Sequence, residues 1–173
     1  MATLLGKHIS LRALEPEDLN FLFSIENDES FWEISNTQLP FSKYILKNYI
    51  ENAHQDIYEA KQYRFVICNT ANTPVGMIDL FEFEPQHSRV GIGLLVLPNY
   101  QRKGYASEAL ELVIEYAFTR LNAHQLFANI TQDNNKSIAL FEKFNFKIAG
   151  TKKDWIFFNN GYKNELLYQL IKH

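Results

Sequence analysis

The sequence predicts an α/β (α+β) domain with a mixed sheet, on three observations. β-rich runs bounded by turn residues occupy the middle and the end of the chain. Between them Ala106, Ala109, Leu110, Val113, Ile114, Ala117 and Leu121 recur at helical spacing and form one continuous apolar face. Helical and strand patterns also interleave along the chain instead of segregating into blocks, which excludes an all-α or all-β architecture. A length of 173 residues, 46% of them hydrophobic, suits one domain spanning 1–173 with a core of its own.

Taken in order, residues 8–14 alternate apolar and polar as a half-buried strand. Glu15-Pro16-Glu17-Asp18 then supplies an acidic helix start with proline in the first turn, predicting a helix to about Asn27. Residues 27–40 are polar and irregular but carry Phe31, Trp32 and Ile34, a composition suited to a lid or substrate wall. Ser42 is placed to cap a second helix running to roughly Ala60. Residues 63–69 and 74–83 form a predicted hairpin, and 89–97 a third strand after the turn Glu84-Pro85-Gln86-His87. The helix over 105–121 follows, then a strand at 125–131, a short helix at 134–144, and strands at 146–158 and 162–171. These last two join around Asn159-Asn160-Gly161, an Asn-Gly turn signal.

Composition narrows the function classes. A formal charge of -3 gives no global attraction to nucleic acid or to an anionic membrane, so neither is expected as a partner. No apolar run reaches the roughly 18 residues of a membrane span, and Cys68 alone offers no disulfide, so a cytoplasmic location is expected. His8, His54, His87, His124 and His173 lack metal-ligand spacing, and no metal is expected.

The segment that carries chemistry runs from Leu94 to Ala106. A strand ends at Leu97-Pro98, and Gln101-Arg102-Lys103-Gly104-Tyr105-Ala106 leads directly into the long helix. Amides of a helix's first turn have no intrahelical partner and sit at the positive end of the dipole, so they can receive phosphate oxygens. Gly104 permits close backbone approach, and Arg102 and Lys103 add positive charge. On composition alone a solvated charged turn accounts for these residues equally well; the strand–turn–helix context favours the phosphate site. Gly91-Ile92-Gly93 opens like a dinucleotide fingerprint, but Val96 stands where the third glycine belongs.

With Gln101, Gly104 and Ala106 in the pattern Gln/Arg-x-x-Gly-x-Gly/Ala, Val96 to Pro98 before it, and Asn134-x-x-Ser137 and Phe141 to Phe146 after it, the chain resembles the GNAT superfamily of N-acetyltransferases. Within it the likeness is to ribosomal-protein alanine acetyltransferases and bacterial spermidine (diamine) acetyltransferases, carried by residues 9–14, 99–110 and 157–168. The resemblance implies a mixed, mostly antiparallel central sheet of six to seven strands, about four flanking helices, and a V-shaped opening between strands 4 and 5. It implies acetyl-CoA as cosubstrate. The pantetheine arm would pair with backbone of Leu95 and Leu97, the pyrophosphate would sit on the amides of Arg102, Lys103, Gly104, Tyr105 and Ala106, and Ser107 would add a hydroxyl. Asn134 matches the asparagine that bonds the pantetheine arm, with Ser137 beside it, and the backbone amide of Val96 or Leu97 is the expected oxyanion donor.

Phe141 stands where the family usually has a tyrosine acid, and a phenyl ring has no proton to give the leaving thiolate. Asp79 is the first candidate base and Glu82 the second. Period-two alternation puts Asp79 on one face with Phe81 and Phe83, and Glu82 and Glu84 on the other with Leu80. All three acids read equally well as solvated carboxylates. Glu26, Asp28, Glu29 and Glu33 form an acidic cluster that would attract a cationic amine or serve only as a solvated loop. The expected activity is transfer of an acetyl group to a primary amine by direct attack in a ternary complex, the acceptor being a small polyamine-like amine or a protein N-terminus. The alternative is a CoA-binding module with impaired catalysis, suggested by Phe141 and by Gly91, a position often glutamate in relatives. Family analogy also implies a homodimer.

Overall fold

The computed structural model describes residues 4–173. Seven strands form one sheet in the order β1-β2-β3-β4-β5-β7-β6. They are β1 (Ile9–Arg12), β2 (Tyr63–Asn69), β3 (Pro74–Glu84), β4 (Arg89–Val96), β5 (Gln125–Thr131), β6 (Lys147–Phe158) and β7 (Gly161–Ile171). Every neighbouring pair is antiparallel except β4 and β5. That exception follows from the chain path: a crossover helix joins β4 to β5 and returns the chain to the same end of the sheet.

The crossover is α5 (Tyr105–Thr119), whose Ala109, Leu110, Val113 and Ala117 are fully buried against Phe65, Ile67, Ile78, Leu80, Val90 and Ile92. The apolar face expected from the spacing is therefore the face that makes the core. The opposite side of the sheet is covered by α1 (Leu19–Glu26) and α3 (Lys43–Glu51), which bury Leu22, Ile25, Leu46 and Ile50 with Met77 of β3. α6 (Asn135–Lys143) follows β5 and contributes Phe141 to the α5 side. Two one-turn helices, α2 (Trp32–Ser35) and α4 (Ile57–Ala60), lie in what the sequence assigned to irregular chain and to a longer helix.

Four expectations are corrected here. The helix expected from Ser42 to Ala60 stops at Glu51. Asn52 turns its amide back onto the Asn48 carbonyl at 2.9 Å, and Asp56 caps the separate α4 by accepting from the Glu59 amide. The first helix begins as a 3-10 turn at Pro16–Asp18, where Asp18 bonds the Glu15 amide. The β6–β7 turn is Asn159-Asn160 with φ of 50° and 61°, and Gly161 already belongs to β7 opposite Phe158. Asparagine tolerates the left-handed backbone such a two-residue turn needs. Alternation along β3 fails after Phe81, because Glu82 adopts φ 47° within a bulge. Phe83 consequently joins Leu80 in the core instead of sharing a face with Asp79.

Candidate active site

The helix α5 starts where Gly104, at φ 81°, and Arg102, at φ 63°, reverse the chain after β4. Glu108 donates to the Gly104 carbonyl at 3.1 Å as the helix ladder begins, which leaves the amides of Tyr105, Ala106 and Ser107 outside it. These amides border a cavity of about 340 Å³. Its walls also include Leu94 and Val96 of β4, Gln101 and Arg102 of the turn, and Asn134, Lys136 and Ser137 at the start of α6. Phe31 and Ile34 from the aromatic loop complete the cavity. Charge and dipole at this end suit an anion, and the apolar Leu94, Ile34 and Leu140 suit an acyl-pantetheine chain.

The sheet opens beside this cavity. β4 pairs with β5 only from Arg89–Gln125 to Gly91–Phe127, after which β5 pairs with β7 alone. The Leu97 amide is taken by the Val75 carbonyl at 2.9 Å. Alternation of the antiparallel ladder then turns Leu95 toward β3 as well, and points the backbone groups of Leu94 and Val96 into the opening. The backbone groups of Leu95 and Leu97 are thus spent on β3, contrary to the expected pairing with a donor, and those facing the opening belong to Leu94 and Val96, although Leu95 still lines the cavity. Gln101 turns inward and donates from its side-chain amide to the Val96 carbonyl at 3.0 Å, tying the turn to the end of β4.

Around α6 the sequence-predicted residues separate. Asn134 caps the helix by accepting from the Ser137 amide at 3.3 Å, and both line the cavity. Phe141, at the position of the family tyrosine, does not: it is 3% exposed and stands edge-on to Phe146 in the core, with centroids 5.0 Å apart. Ser107 lines the cavity and accepts from Lys143 at 2.8 Å. Lys103 is turned over the Tyr100 ring and is not part of the wall. Lys136 and Lys143 were missed by sequence reasoning, because lysines on an exposed helix carry no signal until α6 is placed against α5.

A second cavity, of about 510 Å³, lies on the α1/α3 side of β4. It shares Ile34 with the first, and the two touch β4 at the adjacent residues Gly93 and Leu94. Asp79 lies in its wall, cross-strand from Arg64. Arg64 donates to both Asp79 oxygens, at 2.8 and 2.7 Å, and to Glu26 at 2.6 Å. Burial opposes the guanidinium charge, but Asp79, with Tyr49 and Glu26, outweighs it and holds Arg64 above its usual pKa. Asp79 is therefore a paired carboxylate and not an isolated base. Glu82, the second candidate, is exposed on its bulge and lines neither cavity, since the left-handed residue breaks the alternation that would have aimed it. Of the acidic cluster, Glu26 enters the cavity, whereas Glu33 is bonded by Lys163, which also reaches Asp133 at 2.7 Å.

The acetyltransferase (GNAT) domain family matches residues 8–147, most of the chain. The chain belongs to the GNAT family. This GNAT protein is 28% identical over 169 residues to the spermidine N(1)-acetyltransferase of Escherichia coli (strain K12), covering 95% of this chain and 87% of that protein. It is 26% identical over 163 residues to the spermidine N(1)-acetyltransferase of Vibrio cholerae (strain El Tor Inaba N16961), covering 92% and 91%. The fold matches a crystal structure of the Vibrio cholerae enzyme in complex with CoA and spermine at TM-score 0.88, over 96% of each chain at 23% identity. A dodecameric structure of that enzyme matches at TM-score 0.81 and 26% identity, over 96% of this chain and 95% of that one. Family and fold together make the chain an N-acetyltransferase, and the GNAT family uses acetyl-CoA. Among the described residues, no helix is long and apolar enough to cross a membrane.

Proposed function

We propose that this enzyme moves the acetyl group of acetyl-CoA to a small primary amine by direct attack in a ternary complex. The observation that carries the reading is the meeting of two cavities at Gly93 and Leu94, one bordered by the α5 amides and the other by the Glu26–Arg64–Asp79 group. A thioester held along the opening from the first cavity presents its carbonyl at the point where an amine in the second can reach it. The gap-facing amide of Val96 is placed to donate to the oxyanion that forms as the amine adds. Asp79 and Glu26 attract and orient the acceptor, each carboxylate retaining lone pairs beyond its Arg64 bonds.

Phe141 leaves α6 without the tyrosine hydroxyl expected in the family, yet the reaction does not depend on it. A thiol has a pKa of about 8.5, so a thiolate departs near neutral pH without a dedicated acid. A small amine is favoured over a protein N-terminus because two relatives matching nearly the whole chain, at 28% and 26% identity, are spermidine acetyltransferases by name, whereas a putative ribosomal N-acetyltransferase of Bacillus subtilis matches 96% of the chain at 25%. The test is acetyl-CoA-dependent release of free thiol by the purified chain, with amines and ribosomal N-terminal peptides as acceptors. Turnover with small amines and not with peptides is expected. CoA binding with no turnover of any acceptor would favour the impaired CoA-binding module instead.

A further inference from the structure

The charged side chains of the second cavity are already balanced against one another. Glu26 and Asp79 face Arg64 at 2.6 and 2.7 Å, so two carboxylates and one guanidinium leave a single net negative charge. Of the other acids of the loop, Asp28 and Glu29 lie outside the wall and Glu33 is engaged by Lys163. One ammonium neutralises what remains. Each further ammonium would surrender its hydration with no further acid in the wall to pair it, and freeing Glu26 or Asp79 for the purpose would strand Arg64, whose side chain is only 18% exposed.

The rest of the wall carries no charge: Ile34, Phe41, Ile45, Leu46 and Phe81 give it an apolar body, beside the neutral polar groups of Ser35, Thr37, Tyr49 and Gln62. Phe81 is held edge-on to Phe127, centroids 5.5 Å apart, across Gly91 of β4. A Cβ at Gly91 would come within 2.5 Å of the Phe81 ring, so an acid there would displace the aromatic pair.

Resting on the acetyltransferase reading above, we infer that the cavity selects a primary monoamine with an apolar body, an alkylamine or arylalkylamine, over a linear polyamine. The amine nitrogen forms its bond to the acetyl carbon, and the carbon–sulfur bond breaks as the resulting oxyanion collapses. The electron pair goes to the CoA sulfur, which takes up a proton, and the nitrogen loses one.

The test measures kcat/KM at saturating acetyl-CoA for hexylamine, phenethylamine, putrescine and spermidine with the purified full chain. The monoamines are expected to exceed spermidine by about tenfold or more. Ile45→Glu, at a wall position that is 51% exposed and so tolerant of charge, is expected to cut that preference by about tenfold. Equal or higher kcat/KM for spermidine in the unmodified chain overturns the inference and leaves the acetyltransferase reading standing. No turnover of any amine by protein that binds CoA overturns both.

Discussion

At the scale of single residues, Gly104 and Asp18 show how differently two local features can be tested. A side chain at Gly104 would meet no heavy atom within 4 Å, so the constraint there is the backbone at φ 81° and the phosphate we propose it receives. Gly104→Asp is expected to cost only about 1–2 kcal/mol in stability, from the left-handed backbone. Isothermal titration should nevertheless show CoA affinity reduced by more than about tenfold through like-charge repulsion, and Gly104→Ala should lose less. Unchanged affinity in folded Gly104→Asp protein would remove the turn from the donor site. Asp18, 4% exposed, is opposed by burial, but Arg12 and the Glu15 amide prevail and hold its pKa below the usual carboxylate value. A depressed native pKa stabilises the fold above the unfolded value of about 3.9 and loses that contribution as pH falls through the native value. Asp18→Asn should therefore lower stability by about 1–3 kcal/mol at neutral pH, and the gap to the unmodified protein should close in denaturation measured below about pH 4.

At the scale of elements, the opening between β4 and β5 is set by the ladder between β3 and β4. Gly76 is the position that permits it: a Cβ there would lie 2.2 Å from the Leu95 carbonyl oxygen and 3.0 Å from the Val96 Cα, both backbone. Gly76→Ala must displace β4 at the residues that line the donor cavity. We expect a loss of about 2–3 kcal/mol in urea denaturation, together with weaker CoA binding, because Leu94 and Val96 would no longer present their backbone groups in register. Native-like CoA affinity in Gly76→Ala would show that the close approach is not what aims β4.

At the scale of the whole molecule, donor cavity and core share α5, so occupation of the cavity should stabilise the entire fold. CoA at about 100 times its dissociation constant adds about 2.7 kcal/mol, which for a domain of this size raises Tm by about 5–10 °C in calorimetry. Absence of a shift would contradict the site. Much of this architecture is legible in the chain itself. The periodicity of residues 106–121, the strand runs, and Gln101, Gly104 and Ala106 are determined locally, by side-chain spacing and by backbone freedom, and they specify class, family and the end of α5 proposed to receive phosphate. Asn134 and Ser137 are legible for the same reason, since a cap and its helix are neighbours in sequence. What only the tertiary structure decided depends on partners far apart in the chain. Arg64 bonds Glu26 from 38 residues away, a single bulge at Glu82 takes that acid out of both cavities, and Val75 takes the Leu97 amide, leaving Leu94 and Val96 to face the opening. Period-two patterning has no means of expressing these outcomes, because each is set by which neighbour a backbone or charged group finds once the sheet has closed around it.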